Sequence, residues 1–205
     1  MSIVTLNNRA LRSATAVGTT TGLGAMIFIK KLTASSSATL SFVDGSSSVV
    51  LDNTYKEYLF TFNNIHPASD GVKFKFNFSI DSGSNYNVTK TATNFYAGHT
   101  EADATGGPSF DSGLAQSTSD AFATVGTIGS GNDESCSGFL HLFNPSSTTF
   151  VKHFISSVTI YGSTPQSQVT HGAGYCNTTS AVDAVQFKME SGNIDAGDIC
   201  LYGIN

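Results

Sequence analysis

The residues of this chain whose types and spacing could do chemistry are few, and the most suggestive pair is a histidine and a cysteine. His171 precedes Cys176 in the run His-Gly-Ala-Gly-Tyr-Cys, which could seat a thiol beside an imidazole. A thiolate activated by a neighbouring base is a common enzymatic nucleophile. The glycines favour the simpler interpretation of a loosened strand that carries a buried thiol. We therefore expect no catalytic cysteine at this position.

Metal and acid–base chemistry find little support in the rest of the sequence. His141 and His153 flank an Asn-Pro-Ser-Ser turn and could pair across a hairpin, but no nearby pattern supplies further metal ligands. Glu101 and Glu134 lie in predicted loops, where nothing fixes the separation that paired hydrolytic carboxylates need. The chain has no nucleophile elbow, P-loop or dinucleotide fingerprint. We predict a protein that is not an enzyme and that uses no cofactor and no metal.

Sugar binding fits the sequence better than catalysis does. Lectin-like sandwiches stack exposed aromatic rings on sugar faces, while nearby Asn, Asp and Ser side chains bond the hydroxyl groups. Rings of this kind lie in or beside two predicted loops, at Tyr96, His99, Phe110, Tyr161 and His171. The competing interpretation is that these rings pack at the ends of the fold. The two loops are the predicted contacts with a glycan or a protein partner.

The composition indicates one globular domain with an unusual surface. Charged residues make up 12% of the 205 residues, against about 25% in ordinary globular proteins. A surface solvated by hydroxyls and amides associates easily, which favours an extracellular or assembled protein. The net charge is −5 and the only adjacent basic pair is Lys30-Lys31, so we expect no nucleic-acid partner. There is no long apolar run for a membrane span, and Met1–Thr21 lacks the apolar segment of a secretory signal.

The three cysteines predict neither a zinc site nor a disulfide framework. Cys136, Cys176 and Cys200 form an odd number and contain no Cys-x-x-Cys pair. We expect buried free thiols, and the sequence favours no particular pair if one disulfide forms.

Period-two hydrophobic patterns predict an all-β protein. In Val72–Ile80 every second residue is apolar, and the intervening residues are polar. The segments Glu57–Asn63 and Ala184–Met189 show the same alternation, whereas Glu101–Asp120 is polar and is predicted to be a long loop. Roughly ten short strands without a useful helix predict a two-sheet antiparallel β-sandwich with a jelly-roll or lectin-like arrangement.

Residues 1–24 are predicted to form an extended N-terminal arm outside this body, which would span residues 25–205. The arm is polar and has no period, so it has no core of its own. Its apolar and basic residues would dock on another subunit or on a neighbouring protein, with a disordered tail as the alternative. The predicted assembly residues are Leu6, Arg9, Leu11, Arg12 and Val17.

Several stretches of the chain resemble virion structural proteins of marine tailed bacteriophages such as cyanophages. They include the sequences DNTYKEYLFTFNNIHPASD, SGFLHLFNPSSTTFVKHFI and GYCNTTSAVDAVQFKMESGNIDAGDICLYGI. The resemblance covers most of the chain and is weakest over 96–133 and 156–174. It implies a tail-fibre or appendage protein with a lectin-like or jelly-roll body, and it brings no catalytic residue.

The expected function is therefore that of a non-enzymatic protein on the exterior of a phage particle. The resemblance implies other virion proteins as partners and a homo-oligomer, with a trimer favoured by analogy. A host surface glycan is a further expected contact. The alternatives are a capsid decoration or cement protein, a free carbohydrate-binding lectin-like module and, as a third class, a depolymerase.

Overall fold

A computed structural model describes residues 25–103, 105–112 and 115–205 of the chain. These residues form thirteen strands and no helix. The strands are β1 (Met26–Thr33), β2 (Leu40–Val43), β3 (Glu57–Pro67), β4 (Val72–Ser79), β5 (Lys90–Thr100), β6 (Thr105–Phe110), β7 (Gln116–Ser119), β8 (Ala123–Ile128), β9 (Ser135–Phe143), β10 (His153–Tyr161), β11 (Gln166–Cys176), β12 (Ala184–Met189) and β13 (Ile194–Ile204).

The strands form two antiparallel sheets that pack against each other as a β-sandwich. The large sheet has the order β1-β13-β3-β9-β10-β11-β5-β6, with β7 also paired to β5. The small sheet has the order β2-β12-β4-β8. The all-β sandwich predicted from the sequence is thus confirmed. β9 lies between β3 and β10 and is therefore a central strand of the large sheet.

Aromatic side chains join the two sheets at the centre of the core. Phe187 on β12 is fully buried and lies 5.5 Å and 5.4 Å, between ring centroids, from Phe60 and Phe62 of the large sheet. Within its own sheet it packs against Phe42 and Phe74 at 6.3 and 5.9 Å. Alternate residues over most of β3, β4 and β12 are buried apolar side chains, so the period-two pattern in the sequence is the direct source of this core.

Two details of the strand prediction are wrong. Ile80 does not point into the core, because β4 ends at Ser79 and the alternation stops there, leaving Ile80 43% exposed. The segment predicted as a loop over 101–120 contains β6 and β7, both paired to β5. Pro108 is tolerated in β6 because that strand lies at the edge of the sheet.

The predicted arm, with Leu6, Arg9, Leu11, Arg12 and Val17, lies outside the described residues. Its role in assembly therefore stays a prediction.

Candidate interaction face

The outward side of the four neighbouring strands β9, β10, β11 and β5 is the most distinctive surface of the described chain. We call it the central outer face and define it by every second residue of each strand. These residues are Ser135, Ser137, Phe139, His141 and Phe143 on β9, His153, Ile155, Ser157, Thr159 and Tyr161 on β10, Ser167, Val169, His171, Ala173 and Tyr175 on β11, and Thr91, Thr93, Phe95, Ala97 and His99 on β5. None of them is Asp, Glu, Lys or Arg, in a protein that otherwise carries 10 basic and 15 acidic residues.

Large apolar side chains on this face are open to solvent. The most exposed members are Phe95, Phe139, Ile155 and Tyr175. Exposed apolar residues scattered singly are ordinary on protein surfaces, whereas a contiguous group of them usually marks an interaction site. In the register Ile155 is a diagonal neighbour of Phe139 and of Tyr175, and His171, which lies opposite Phe95, links Phe95 to this group.

One row of side chains crosses the sheet through the middle of the face. Phe110 on β6 opposes Phe95 on β5, and Phe95 opposes His171 on β11. The rings of Phe95 and His171 lie 5.1 Å apart between centroids. The row continues through Ser157 to Phe139. Cross-strand contacts of this type hold the rings in place on the surface of the sheet.

A shallow apolar depression of about 470 Å³ lies at one end of the face, where Phe143, His153, Ile155 and Tyr175 meet. The rings of His153 and Tyr175 are 6.1 Å apart between centroids. At its border, His141 stacks on Phe143 with a centroid distance of 4.1 Å, and its Nε2 lies 2.9 Å from Oε2 of Glu57. The predicted pairing of His141 with His153 is wrong, because the register sets His141 opposite Ile155 and His153 opposite Tyr175.

A polar groove of about 490 Å³ lies at the opposite end of the face. It is lined by His99, Tyr161 and Ser167 from one register row, together with Glu101 and Gln166. Burial and the nearby carboxylate of Glu101 raise the pKa of the Tyr161 phenol, which therefore stays a hydrogen-bond donor. The groove offers hydroxyl, amide, imidazole and carboxylate groups together, a set that can bond the hydroxyls of a sugar.

The structure brings together four of the five aromatic and imidazole residues that the sequence singled out. His99 and Tyr161 line the polar groove, the His171 ring packs against Phe95, and Phe110 lies opposite Phe95 in the register. Tyr96 is separate, because it points to the opposite side of β5 and lines another hollow with Asp111 and Thr127. All five residues lie in strands rather than in loops, although His99, Phe110 and Tyr161 are at or next to strand ends and so lie beside loops, as predicted.

Sequence reasoning missed the apolar members of the face, above all Phe95, Phe139, Ile155 and Tyr175. A signal for them exists in the sequence of β10, where His153, Ile155, Ser157 and Thr159 alternate with core residues. The parity of this pattern identifies which residues face outward. It does not identify which strands are neighbours, and only neighbouring strands turn single exposed residues into a patch.

The residues with catalytic or metal-binding potential are dispersed. His171 and Cys176 lie on opposite faces of β11, and burial raises the pKa of Cys176 to about 12. Burial likewise raises the pKa of Cys136, and all three cysteines are free thiols. Within the described ranges no group of three or more His, Cys, Asp or Glu side chains is placed to hold a metal ion.

A buried lysine lies beneath the face, between the two sheets. Lys90 on β5 is fully buried, and its Nζ donates to Oδ1 of Asn77 at 2.5 Å and to the carbonyl oxygen of Val88 at 2.7 Å. Its partners are polar but uncharged, so desolvation dominates and lowers the pKa of Lys90 to about 8. Burying a neutral amine at this position would cost less desolvation free energy than burying the ammonium.

The lowered pKa of Lys90 predicts a specific dependence of stability on pH. The folded protein releases this proton near pH 8, whereas the unfolded chain releases it near its ordinary pKa of about 10.4. Between these values the unfolded state holds the Lys90 proton more firmly, so the contribution of Lys90 to the free energy of unfolding should rise with pH. The buried thiols of Cys136 and Cys176, whose pKa values are raised, act in the opposite direction over the same range. The gain from Lys90 should be on the order of 3 kcal/mol. Urea unfolding of the wild type and of Lys90→Met from pH 7 to 10.5 measures this gain. The difference between the two free energies of unfolding isolates the contribution of Lys90 from that of other titrating groups. Parallel profiles for the two proteins would contradict the prediction.

In the part of the chain that the structure describes, no helix is long and apolar enough to span a bilayer. No family model, no curated protein and no solved structure matches this chain.

Proposed function

We propose that this chain is a non-enzymatic structural protein on the exterior of a tailed-phage particle, as a tail fibre or appendage. The observation that carries the assembled role is the central outer face, where twenty outward positions on four neighbouring strands include no Asp, Glu, Lys or Arg. A monomer that stays free in solution seldom exposes such a surface. The assignment to a phage particle, and to a jelly-roll or lectin-like type of body, rests on the resemblance of the sequence to virion proteins of marine phages.

A contact surface without Asp, Glu, Lys or Arg suits the proposed setting. At roughly 0.5 M salt the screening length falls to a few ångströms, so ion pairs on a protein surface contribute little. Apolar and hydroxyl contacts keep their strength there, and salt even strengthens the burial of apolar groups when its ions are excluded from the surface. The predicted arm, residues 1–24, would attach the body to the tail or capsid.

Immunogold electron microscopy on particles of the phage that encodes the chain tests the proposal. Antibodies raised against the purified protein should label the outside of intact particles, and label on tail fibres or appendages supports the proposed position. Label on the capsid shell would instead favour a decoration or cement protein. A complete absence of label, with the chain missing from the proteins of purified particles, would reject the virion role.

The arm can be tested in the same particles. A chain beginning at Ala25 should remain folded and should fail to enter particles, while the full chain enters them. Incorporation of the shortened chain at the normal level would show that residues 1–24 are not the anchor.

Contact with a host surface glycan is the second candidate activity, and the polar groove favours it. Tyr161 offers a ring and a hydroxyl in the same groove as the imidazole of His99 and the amide of Gln166. If the groove binds sugar, Tyr161→Ala should reduce binding of the full chain to immobilised host polysaccharide at least tenfold. Tyr175→Ala is the matched control, because Tyr175 lies on the same face outside the groove. Equal binding by the two variants would remove the groove as a sugar site, and binding without any link to a particle would favour the free lectin-like module.

A further inference from the structure

We infer that the central outer face is the interface with a second copy of this chain. The inference rests on the proposed function, in which this face is the contact surface of an assembled protein. It names the partner that binds there. It goes beyond that proposal in assigning one specific side of one sheet to self-association.

The distribution of charge favours a copy of the same chain as the partner. The protein has a net charge of −5, so two copies repel each other in most orientations. Across the central outer face two copies can meet without burying an unpaired Asp, Glu, Lys or Arg and without opposing like charges of these residues. A partner with a strongly charged contact surface would find no charged complement there.

The polar groups of the face are suited to pairing with their own kind. Its polar side chains are serines, threonines, tyrosines and histidines. Hydroxyl and neutral imidazole groups each contain a donor and an acceptor, so identical surfaces can satisfy each other across a two-fold axis or around a ring. A carboxylate or an ammonium group cannot do so.

Charged groups first occur at the border of the face, which gives it the anatomy of a protein interface. Glu57, on the neighbouring strand β3, has its carboxylate beside the ring of His141 on β9. Farther out, Nζ of Lys31 lies 3.3 Å from Oδ2 of Asp198 on the same side of the sheet. An apolar and hydroxyl centre with a charged rim is the common arrangement of interfaces that bury their centre completely.

The face is large enough for a stable contact. Four strands at about 4.8 Å spacing and nine residues at about 3.3 Å each give a projected area of roughly 600 Å². The accessible area of a surface covered with side chains exceeds its projection, and a standard interface buries about 800 Å² on each partner. Phe110, which is 63% exposed beside Phe95, extends the patch onto β6.

A matched pair of isoleucine substitutions in the full chain tests the inference. Ile155 lies at the centre of the apolar part of the face and is 45% exposed, whereas Ile80 lies beyond the end of β4 and is 43% exposed. Light scattering coupled to size exclusion, over a range of protein concentrations, should show an oligomer for the wild type and for Ile80→Glu. Ile155→Glu should weaken association at least tenfold, because it places an unpaired charge in the contact. Circular dichroism and thermal unfolding should confirm that both variants are folded.

The remaining outcomes each decide the inference. A wild-type chain that stays monomeric, or an oligomer that Ile155→Glu leaves intact, overturns it. If Ile155→Glu does not fold, Ser157→Arg in the next register row serves instead, since a half-buried outward serine can be replaced without disturbing the core. If only a chain beginning at Ala25 associates, the protein's own N-terminal segment covers the face, and the inference is wrong.

Failure of this inference is distinguishable from failure of the proposed function. Gold label on particles together with a monomeric wild type leaves the virion role standing and removes the interface. Association through the face without label on particles does the reverse.

Discussion

Replacing Asn77 with alanine should destabilise the protein by about 3 kcal/mol or more, because the side chain connects four groups between the sheets. Its Nδ2 donates to the carbonyl oxygens of Tyr86 and Asp120, both at 2.7 Å. Its Oδ1 accepts from the backbone N–H of Phe78 at 2.8 Å and from Nζ of Lys90 at 2.5 Å. Alanine removes every one of these bonds and leaves the Lys90 ammonium with the Val88 carbonyl oxygen as its remaining partner. Urea denaturation at pH 7 measures the loss.

The matched control for Asn77→Ala is the same substitution at a partly exposed position. Asn193 donates from Nδ2 to the carbonyl oxygen of Ser36 at 2.9 Å, and water can replace that bond. Asn193→Ala should therefore cost less than about 1 kcal/mol. Similar losses for the two variants would show that the buried network around Asn77 contributes no more than an ordinary surface hydrogen bond.

Asn77→Asp separates the need for a polar group from the need for an amide. A carboxylate would supply a countercharge to Lys90, but one of its oxygens would face the carbonyl oxygens of Tyr86 and Asp120, where the amide donates. We expect this variant to remain destabilised at pH 7, because acceptors would oppose acceptors in a buried site. Wild-type stability for Asn77→Asp would show that the charge of Lys90 dominates the network.

The strands with two different faces were predictable from the sequence, and the edge strands were not. In β4 and β12 the alternation of apolar and polar residues reports which side is buried, so local sequence determines both the strand and its orientation. β6 contains Gly106, Gly107 and Pro108 and has no such pattern. It forms because β5 offers it an unpaired edge, and that partner is set by the tertiary fold.

The candidate site shows the same limit. The sequence pointed to His99, Phe110, Tyr161 and His171 by their side-chain types, and all four lie on or beside one face of the large sheet. The face itself depends on β5 pairing with β11, although more than sixty residues separate these strands in the chain. A single sequence gives the parity of each strand but contains no direct record of which strands are neighbours. The patch, and with it the inferred self-association, therefore emerges only from the sheet order.

Replacing Phe187 with alanine should cost about 3–5 kcal/mol, because it opens a cavity where the two sheets meet. The ring is fully buried and packs between Phe62 of the large sheet and Phe74 of its own sheet. Phe150→Ala is the matched control, since that ring is 70% exposed and its loss should change the free energy of unfolding by less than about 0.5 kcal/mol. If Phe187→Ala does not fold, Phe187→Leu still reports the direction through a smaller loss in urea denaturation. Equal stability of the Phe187 and Phe150 variants would contradict the packing of the sandwich, on which the position of the outer face depends.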